Sequence, residues 1–373
     1  MKHNDLGLTG AEGVRVEAPV RRHGTRGKEE ELLKAPFPWF GGKSTVADIV
    51  WKVFGPVTNY VEPFFGSGAV LLGRPDGFSG PETVNDFDGF LANFWRAIKS
   101  DPEAVAQFAD WPVNENDLHA RHAWILARRG ELTAALEGDP DYFDAKLAGW
   151  WVWGICSWIG SGWCSGNGPW YVDDGKLVDS RQLPHLGNAG MGINRQLPHL
   201  GNAGRGINRK LPHLGDAGRG DRYEAILATF QDLSDRLRNV RVCCGDWSRV
   251  MGESVTVKHP GVTGVFLDPP YADTANRTDD LYACDDTGVA HDAREWCLAN
   301  GDNPRLRIAL CGYEGEHAMP ETWACVPWKA CGGYGSQGET TGRENATKER
   351  IWLSPACLPL IDAVQPGLFE DAV

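Results

Sequence analysis

The chain has no uninterrupted run of 18 to 20 apolar residues; its richest stretch, around Leu147–Ile159, is shorter and broken by glycines. That excludes a membrane-spanning helix. The first residues lack the charged-then-apolar pattern of a secretory leader, so a soluble, cytoplasmic protein is expected. Ten cysteines are scattered over 373 residues without one Cys-x-x-Cys pair. The adjacent Cys243-Cys244 pair has poor metal-ligand geometry, so the thiols read as reduced and mostly buried, and no metal is expected. A basic excess is lacking too. The formal net charge is −13, which disfavours a protein that coats nucleic acid unselectively but leaves room for a local basic surface.

What is present is an ordinary globular composition, 42% hydrophobic and 23% charged, in a length that suits one large domain or a core domain carrying an insertion. Residues 1–33 are polar and aperiodic and predict a disordered extension. From Ala35 onward, strand-like and helix-like patterns alternate. Ser44-Thr45 offers a helix cap before apolar spacing; Tyr60–Phe65 reads as a buried strand end, and Thr83–Asp86 as a second strand. Helical spacing runs from Leu91 to Arg129 and again over Tyr223–Leu237. Further strands are expected at Val240–Asp246, Gly264–Asp268, Arg307–Leu310 and Glu349–Leu353. This is an α/β layout with an insertion at 95–238 between two catalytic segments, 34–94 and 239–373.

The insertion has two oddities. Residues 147–170 hold six of the chain's 16 tryptophans, first in a helical pattern and then in a glycine-rich loop. A 14-residue unit, Arg-Gln-Leu-Pro-His-Leu-Gly-Asn-Ala-Gly at its head, starts at Arg181, recurs from Arg195 and recurs again, slightly diverged, from Arg209 (195−181 and 209−195), a repeat spanning 181–220. Proline and glycines in every unit exclude helix, leaving tandem turn-rich loops. Seven Lys/Arg stand against two acids between Arg181 and Arg222. This local reversal of charge suits phosphate contact, while an inert duplicated loop is the plainer alternative.

Four segments carry chemistry. Glu62-Pro63-Phe64-Phe65-Gly66-Ser67-Gly68 is a strand end running into a glycine turn, where backbone can approach a nucleoside. Asp86, 20 residues after Gly66 (86−66), is an acid at a strand end, where it can accept ribose hydroxyl hydrogens. Trp39-Phe40-Gly41-Gly42-Lys43 lacks the leading glycine of a phosphate loop, since position 37 is Phe37. Its lysine suits the carboxylate of a methionine moiety, with Trp39 packing on the cofactor. Asp268-Pro269-Pro270-Tyr271 follows an apolar strand. Its carboxylate and the Pro269 carbonyl can both accept N–H hydrogens of an adenine amine, and Tyr271 offers a stacking face for an extruded base.

Taken in order, these segments resemble the Dam-type family of DNA N6-adenine methyltransferases, phage-like members included. The resemblance covers roughly residues 35–360. It implies a Rossmann-like, doubly wound α/β sheet with an inserted, mainly helical, loop-rich target-recognition domain. It implies site-specific methyl transfer from S-adenosylmethionine to the N6 amine of an adenine flipped from double-stranded DNA. Catalysis falls to Asp268, Pro269, Pro270 and Tyr271. Cofactor contacts fall to Trp39, Gly42, Lys43, Glu62, Pro63, Phe64, Gly66, Ser67, Gly68, Asp86 and Asp268, with Asp246 beside the cofactor adenine. Thr274-Ala275-Asn276 lies near the target base. A monomer or weak dimer, in a phage-infected or bacterial cell and in a restriction-modification setting, is expected. Alternatives are cytosine-N4 or RNA adenine methylation, or a DNA-binding relative that has lost catalysis. The absence of a Pro-Cys loop disfavours methylation at cytosine carbon, which needs a thiolate.

Overall fold

The computed structural model describes residues 33–39, 43–158, 163–164, 170–173, 176–179, 222–270, 287–328 and 348–360. The expected disordered extension, the tandem repeat at 181–220, Gly42, Tyr271 and Thr274-Ala275-Asn276 lie outside the described residues. The described residues form part of one compact unit, Leu33–Val373.

The fold is mixed α/β around a seven-stranded sheet. Its first half runs α1 (Ser44–Phe54), β1 (Asn59–Glu62), α2 (Ala69–Leu72), β2 (Glu82–Asp86) and α3 (Gly89–Ser100). Helices α4 (Pro102–Ala109), α5 (Glu115–Leu126), α6 (Arg129–Gly138) and α7 (Ala145–Ser157) follow. The hairpin strands β3 (Trp170–Asp173) and β4 (Lys176–Asp179) pair antiparallel in a separate sheet. Then come α8 (Arg222–Leu237), β5 (Val240–Cys244), a 3-10 turn at Trp247–Val250, α9 (Glu253–Thr256), β6 (Thr263–Leu267), α10 (Thr287–Asn300), β7 (Leu306–Tyr313), β8 (Ala324–Pro327) and β9 (Glu349–Leu353).

The strand order is β5-β2-β1-β6-β7-β9-β8. The first five are parallel, and β9 and β8 close the sheet antiparallel. Parallel strands buried on both faces read as continuous apolar runs, as in the fully buried β6, Thr-Gly-Val-Phe-Leu. Strand β1 has β2 on one side and β6 on the other, so the chain changes direction across the sheet there. In open α/β sheets a ligand crevice opens at the carboxyl ends of such strands. Glu62, Asp86 and Asp268 stand at or just past those ends.

The predicted helical stretch 91–129 resolves into three helices. Asp101 caps α4 by accepting from Ala104 N at 3.0 Å, with Pro102 as its first residue. Asn114 caps α5 by accepting from Asp117 N at 2.8 Å. Short polar side chains that satisfy the free amides of a first turn set these starts. The expected Ser44-Thr45 cap on α1 is corrected: the cap position is Lys43, and no side chain caps the helix. Lys43 contributes only its carbonyl to the first turn, because its side chain runs into the site. The first boundary of the proposed insertion, residue 95, falls inside α3.

Aromatic packing ties the helical region to the site. Phe37 sits edge-on to Trp151 of α7 at 5.2 Å and to Phe94 of α3 at 5.3 Å. It thereby anchors the chain just before Trp39. Strand β2 is tied to the returning helix α8: Arg236 donates to both carboxylate oxygens of buried Glu82 at 2.9 Å and to Leu71 O at 2.7 Å. Arg74 shares the same carboxylate.

Candidate active site

Seven of the predicted residues line one narrow cleft: Trp39, Lys43, Glu62, Phe64, Gly66, Ser67 and Asp268. Phe65, Ala69 and Phe266 complete the lining. Three chain segments far apart in sequence meet here, as the motif order requires.

The cleft is built on a charged cluster. Lys43 Nζ lies 3.1 Å from Asp268 Oδ1 and 4.0 Å from Glu349 Oε2. Its ammonium also sits over the Trp328 ring, 5.2 Å from the centroid. Lys43 is only 7% exposed and Glu349 4%, so this ion pairing is barely screened by solvent. Glu62, at the end of β1, accepts a hydrogen bond from Tyr60 Oη at 2.8 Å. Burial pushes its carboxyl well above the usual carboxylate range, and the nearby Asp268 charge adds to the rise. One ammonium thus serves a neighbourhood of three acids.

Gly66 shows why the turn needs glycine. Its φ is +50°, and an added Cβ would stand 2.8 Å from Trp39 Nε1. The indole of Trp39 therefore lies directly on the bare backbone of the turn. Gly68, at φ +65°, bears likewise on the Phe65 ring. Trp95 Nε1 donates to Gly66 O at 3.0 Å and fixes the turn from α3.

Asp86 points at the same turn. Its Oδ2 accepts from Gly66 N and its Oδ1 from Asp88 N, each at 2.9 Å. Each oxygen keeps a further lone-pair site for another donor. Burial raises its pKa to about 7, against the opposing effect of those amides.

The remaining predicted residues are placed as follows. Pro63 supplies a carbonyl that accepts from Asn85 Nδ2 at 3.2 Å. Pro269 is buried and Pro270 partly so, directly after Asp268. Asp246 is exposed and accepts from Ser248 N at 2.9 Å, capping the 3-10 turn; it does not line the cleft.

Four residues with a part in this architecture escaped the sequence reading. Glu349 and Trp328 hold Lys43 from the antiparallel edge. A glutamate opening the strand Glu349–Leu353 was the available signal for the first; nothing local marks the second. Asn85 bonds both Pro63 O and Gly245 O, the latter at 2.9 Å, and so joins the β1 and β5 exits. Trp247 stacks on Phe64 with centroids 5.7 Å apart.

A parallel α/β sheet whose strand-end acids gather around a glycine turn is consistent with a methyltransferase fold. Residues 39–123 match the family described as D12 class N6 adenine-specific DNA methyltransferase, which supports the Dam-type adenine methylase family named from the motifs. The matched stretch contains Trp39, Lys43, the glycine turn and Asp86, and ends before Asp268. No curated protein matches the chain.

Proposed function

We propose that the chain is a site-specific DNA methyltransferase that moves a methyl group from S-adenosylmethionine to the N6 amine of an adenine flipped out of double-stranded DNA. The sheet is read as a Rossmann-like, doubly wound methyltransferase domain, 34–94 with 239–373, and the helical region 95–238 as its target-recognition insertion. The observation that carries the function is the Lys43–Asp268 pair at the mouth of a glycine-turn cleft.

The residues present suit the cofactor. Asp86 has lone pairs left for ribose hydroxyls, Gly66 lines the cleft without a side chain, and Trp39 and Phe64 give the cleft aromatic walls. Asp246, outside the cleft lining, is assigned to the cofactor adenine on resemblance alone. When bound, the cofactor supplies an electrophilic methyl on a sulfonium; the protein supplies alignment and electrostatics.

An adenine amine is a weak nucleophile because its lone pair is spread into the ring. Lys43 fixes the Asp268 carboxyl at 3.1 Å, so an Asp268 oxygen accepts one N–H hydrogen and the Pro269 carbonyl accepts the other. Both bonds favour a localised lone pair on nitrogen. Asp268 is placed to take the proton that the methylated amine would shed. Tyr271 would stack on the flipped base.

The direct test is transfer of tritiated methyl from S-adenosylmethionine to unmethylated duplex DNA. Cofactor-dependent counts in DNA support the reading. A folded, cofactor-binding preparation that transfers none would refute it and leave a DNA-binding relative without catalysis.

A further inference from the structure

The helical region carries a second concavity that shares no lining residue with the cleft. Its walls are Phe108 of α4, Trp111 in the following link, Asp117, Arg121 and Trp124 of α5, and Trp150 of α7, and it encloses about 610 Å3. That size falls within the range of ordinary ligand pockets.

Its floor is a cation framed by indoles. The Arg121 guanidinium lies 4.3 Å from the Trp153 ring centroid, 4.8 Å from Trp150 and 5.0 Å from Trp111. Arg121 is 7% exposed, and its Nη1 is buried with no hydrogen-bond partner among the described residues. Asp117, one turn earlier, does not relieve it. The Asp117 Oδ2 is already bonded by Trp111 Nε1 and Asn114 Nδ2, each at 2.6 Å. Two further cations sit on the outer rings: Arg128 lies 3.7 Å from the Trp124 centroid, and Lys146 lies 4.5 Å from that of Trp150.

Packing alone does not explain this arrangement. A buried donor without a partner costs free energy, and an acidic chain has no general need of three cations on one aromatic surface. Trp111, meanwhile, leaves 46% of its surface open, and its own hydrogen bond to Asp117 fixes the ring. Rigid open indoles beside cations are the elements that hold unpaired nucleotides, whose bases stack and whose phosphates need positive charge.

We propose that this pocket binds one unpaired nucleotide of a DNA strand, the base against Trp111 and the phosphate toward the cations seated on Trp124 and Trp150. The inference rests on the reading that the chain acts on DNA, and it adds a contact outside the catalytic cleft. The ligand class has two sources, a strand or a free nucleotide, and the strand is the one proposed.

The test uses the full chain and a short fluorescent oligothymidylate carrying one 5-iododeoxyuridine; without adenine it offers the catalytic site no target. Irradiation should cross-link the oligonucleotide to peptides bearing Trp111, Trp124 or Trp150. Anisotropy should show affinity falling about tenfold in Trp111→Ala, the scale of one lost base–aromatic stack. Lys146→Gln, which leaves the rings in place, should weaken binding and flatten its salt dependence. Cross-links confined to other peptides, or affinities within about twofold of wild type in both variants, would overturn the proposal, that margin being well below the effect of one stack. Thymidine monophosphate competing at the oligonucleotide's own affinity would assign the pocket to a free nucleotide and overturn the strand. Methyl transfer to duplex DNA is measured in parallel. Lost transfer with retained cross-linking defeats the methyltransferase reading alone; intact transfer without the cross-link defeats this one alone.

Discussion

Lys43 and Asp268, 225 residues apart (268−43), meet at 3.1 Å. The lysine that the sequence offered to a methionine carboxylate thus lies against Asp268, the proposed catalytic aspartate, with Glu349 behind it at 4.0 Å. The two ends of this pair should behave differently when removed.

Lys43→Met leaves Asp268, Glu349 and Glu62 clustered without their ammonium. Removing one partner of a buried pair costs about 3–5 kcal/mol, so a large drop in unfolding free energy is expected by urea titration. Asp268→Asn keeps the shape and leaves Lys43 beside Glu349. It should cost clearly less stability while abolishing methyl transfer. Equal losses of stability in the two variants would contradict the asymmetry.

Gly66→Ala tests the turn. Its φ of +50° and the Trp39 indole against its backbone both oppose a methyl group. A strained left-handed residue costs about 1–3 kcal/mol. Cofactor affinity, read by calorimetry, should fall with it; unchanged affinity would separate the turn from the cofactor.

Asp86 gives a pH signature. Its folded pKa, about 7, stands above its ordinary value of 3.8, so the folded state holds this proton more tightly than the unfolded chain. The resulting stabilisation is full below pH 3.8, shrinks as pH rises toward 7, and is gone above it. Asp86→Asn should remove that slope from a stability–pH series. An ionised carboxylate accepts hydroxyl hydrogens better than a protonated one, so cofactor binding by the wild type should also tighten as pH rises through 7. A flat binding profile would count against Asp86 as the ribose acceptor.

Glu82 and Arg236 supply a control remote from chemistry. Arg236→Met strips a buried carboxylate of two hydrogen bonds at 2.9 Å but leaves it paired with Arg74, so it should cost less than the roughly 3–5 kcal/mol of a wholly unpaired buried charge. The Michaelis constant for the cofactor should not move at a temperature where the variant is folded. A specific rise in that constant would mean that α8 shapes the site.

The central parallel strand Thr263–Leu267 was legible because burial on both faces writes it as an apolar run; the edge strand Val240–Cys244 was legible from its alternation, with Arg241 exposed between buried valines. Glu62, Gly66 and Asp268 converged because each sits at or near a strand end, and Trp39 and Lys43 reach them from the segment leading into α1. Strand β8 was missed: Ala324–Pro327 is largely exposed and has no periodicity to read. The break at Trp111–Asn114 was missed because apolar spacing continues across it, although Pro112 marks it in the sequence; Asn114's capping bond starts the new helix. Glu349 and Trp328 were hidden for another reason: their partner, Lys43, lies some 300 residues earlier (349−43 and 328−43). No local pattern encodes that distance.

The central claim is that Asp268, held by Lys43, accepts the N6 hydrogens of adenine in DNA. It is tested most directly by nucleoside mass spectrometry of unmethylated duplex DNA incubated with S-adenosylmethionine and either wild type or Asp268→Ala. N6-methyldeoxyadenosine with wild type, and none with a folded Asp268→Ala that still binds the cofactor, is the predicted result. N4-methyldeoxycytidine in its place, or full methylation by the variant, would contradict it.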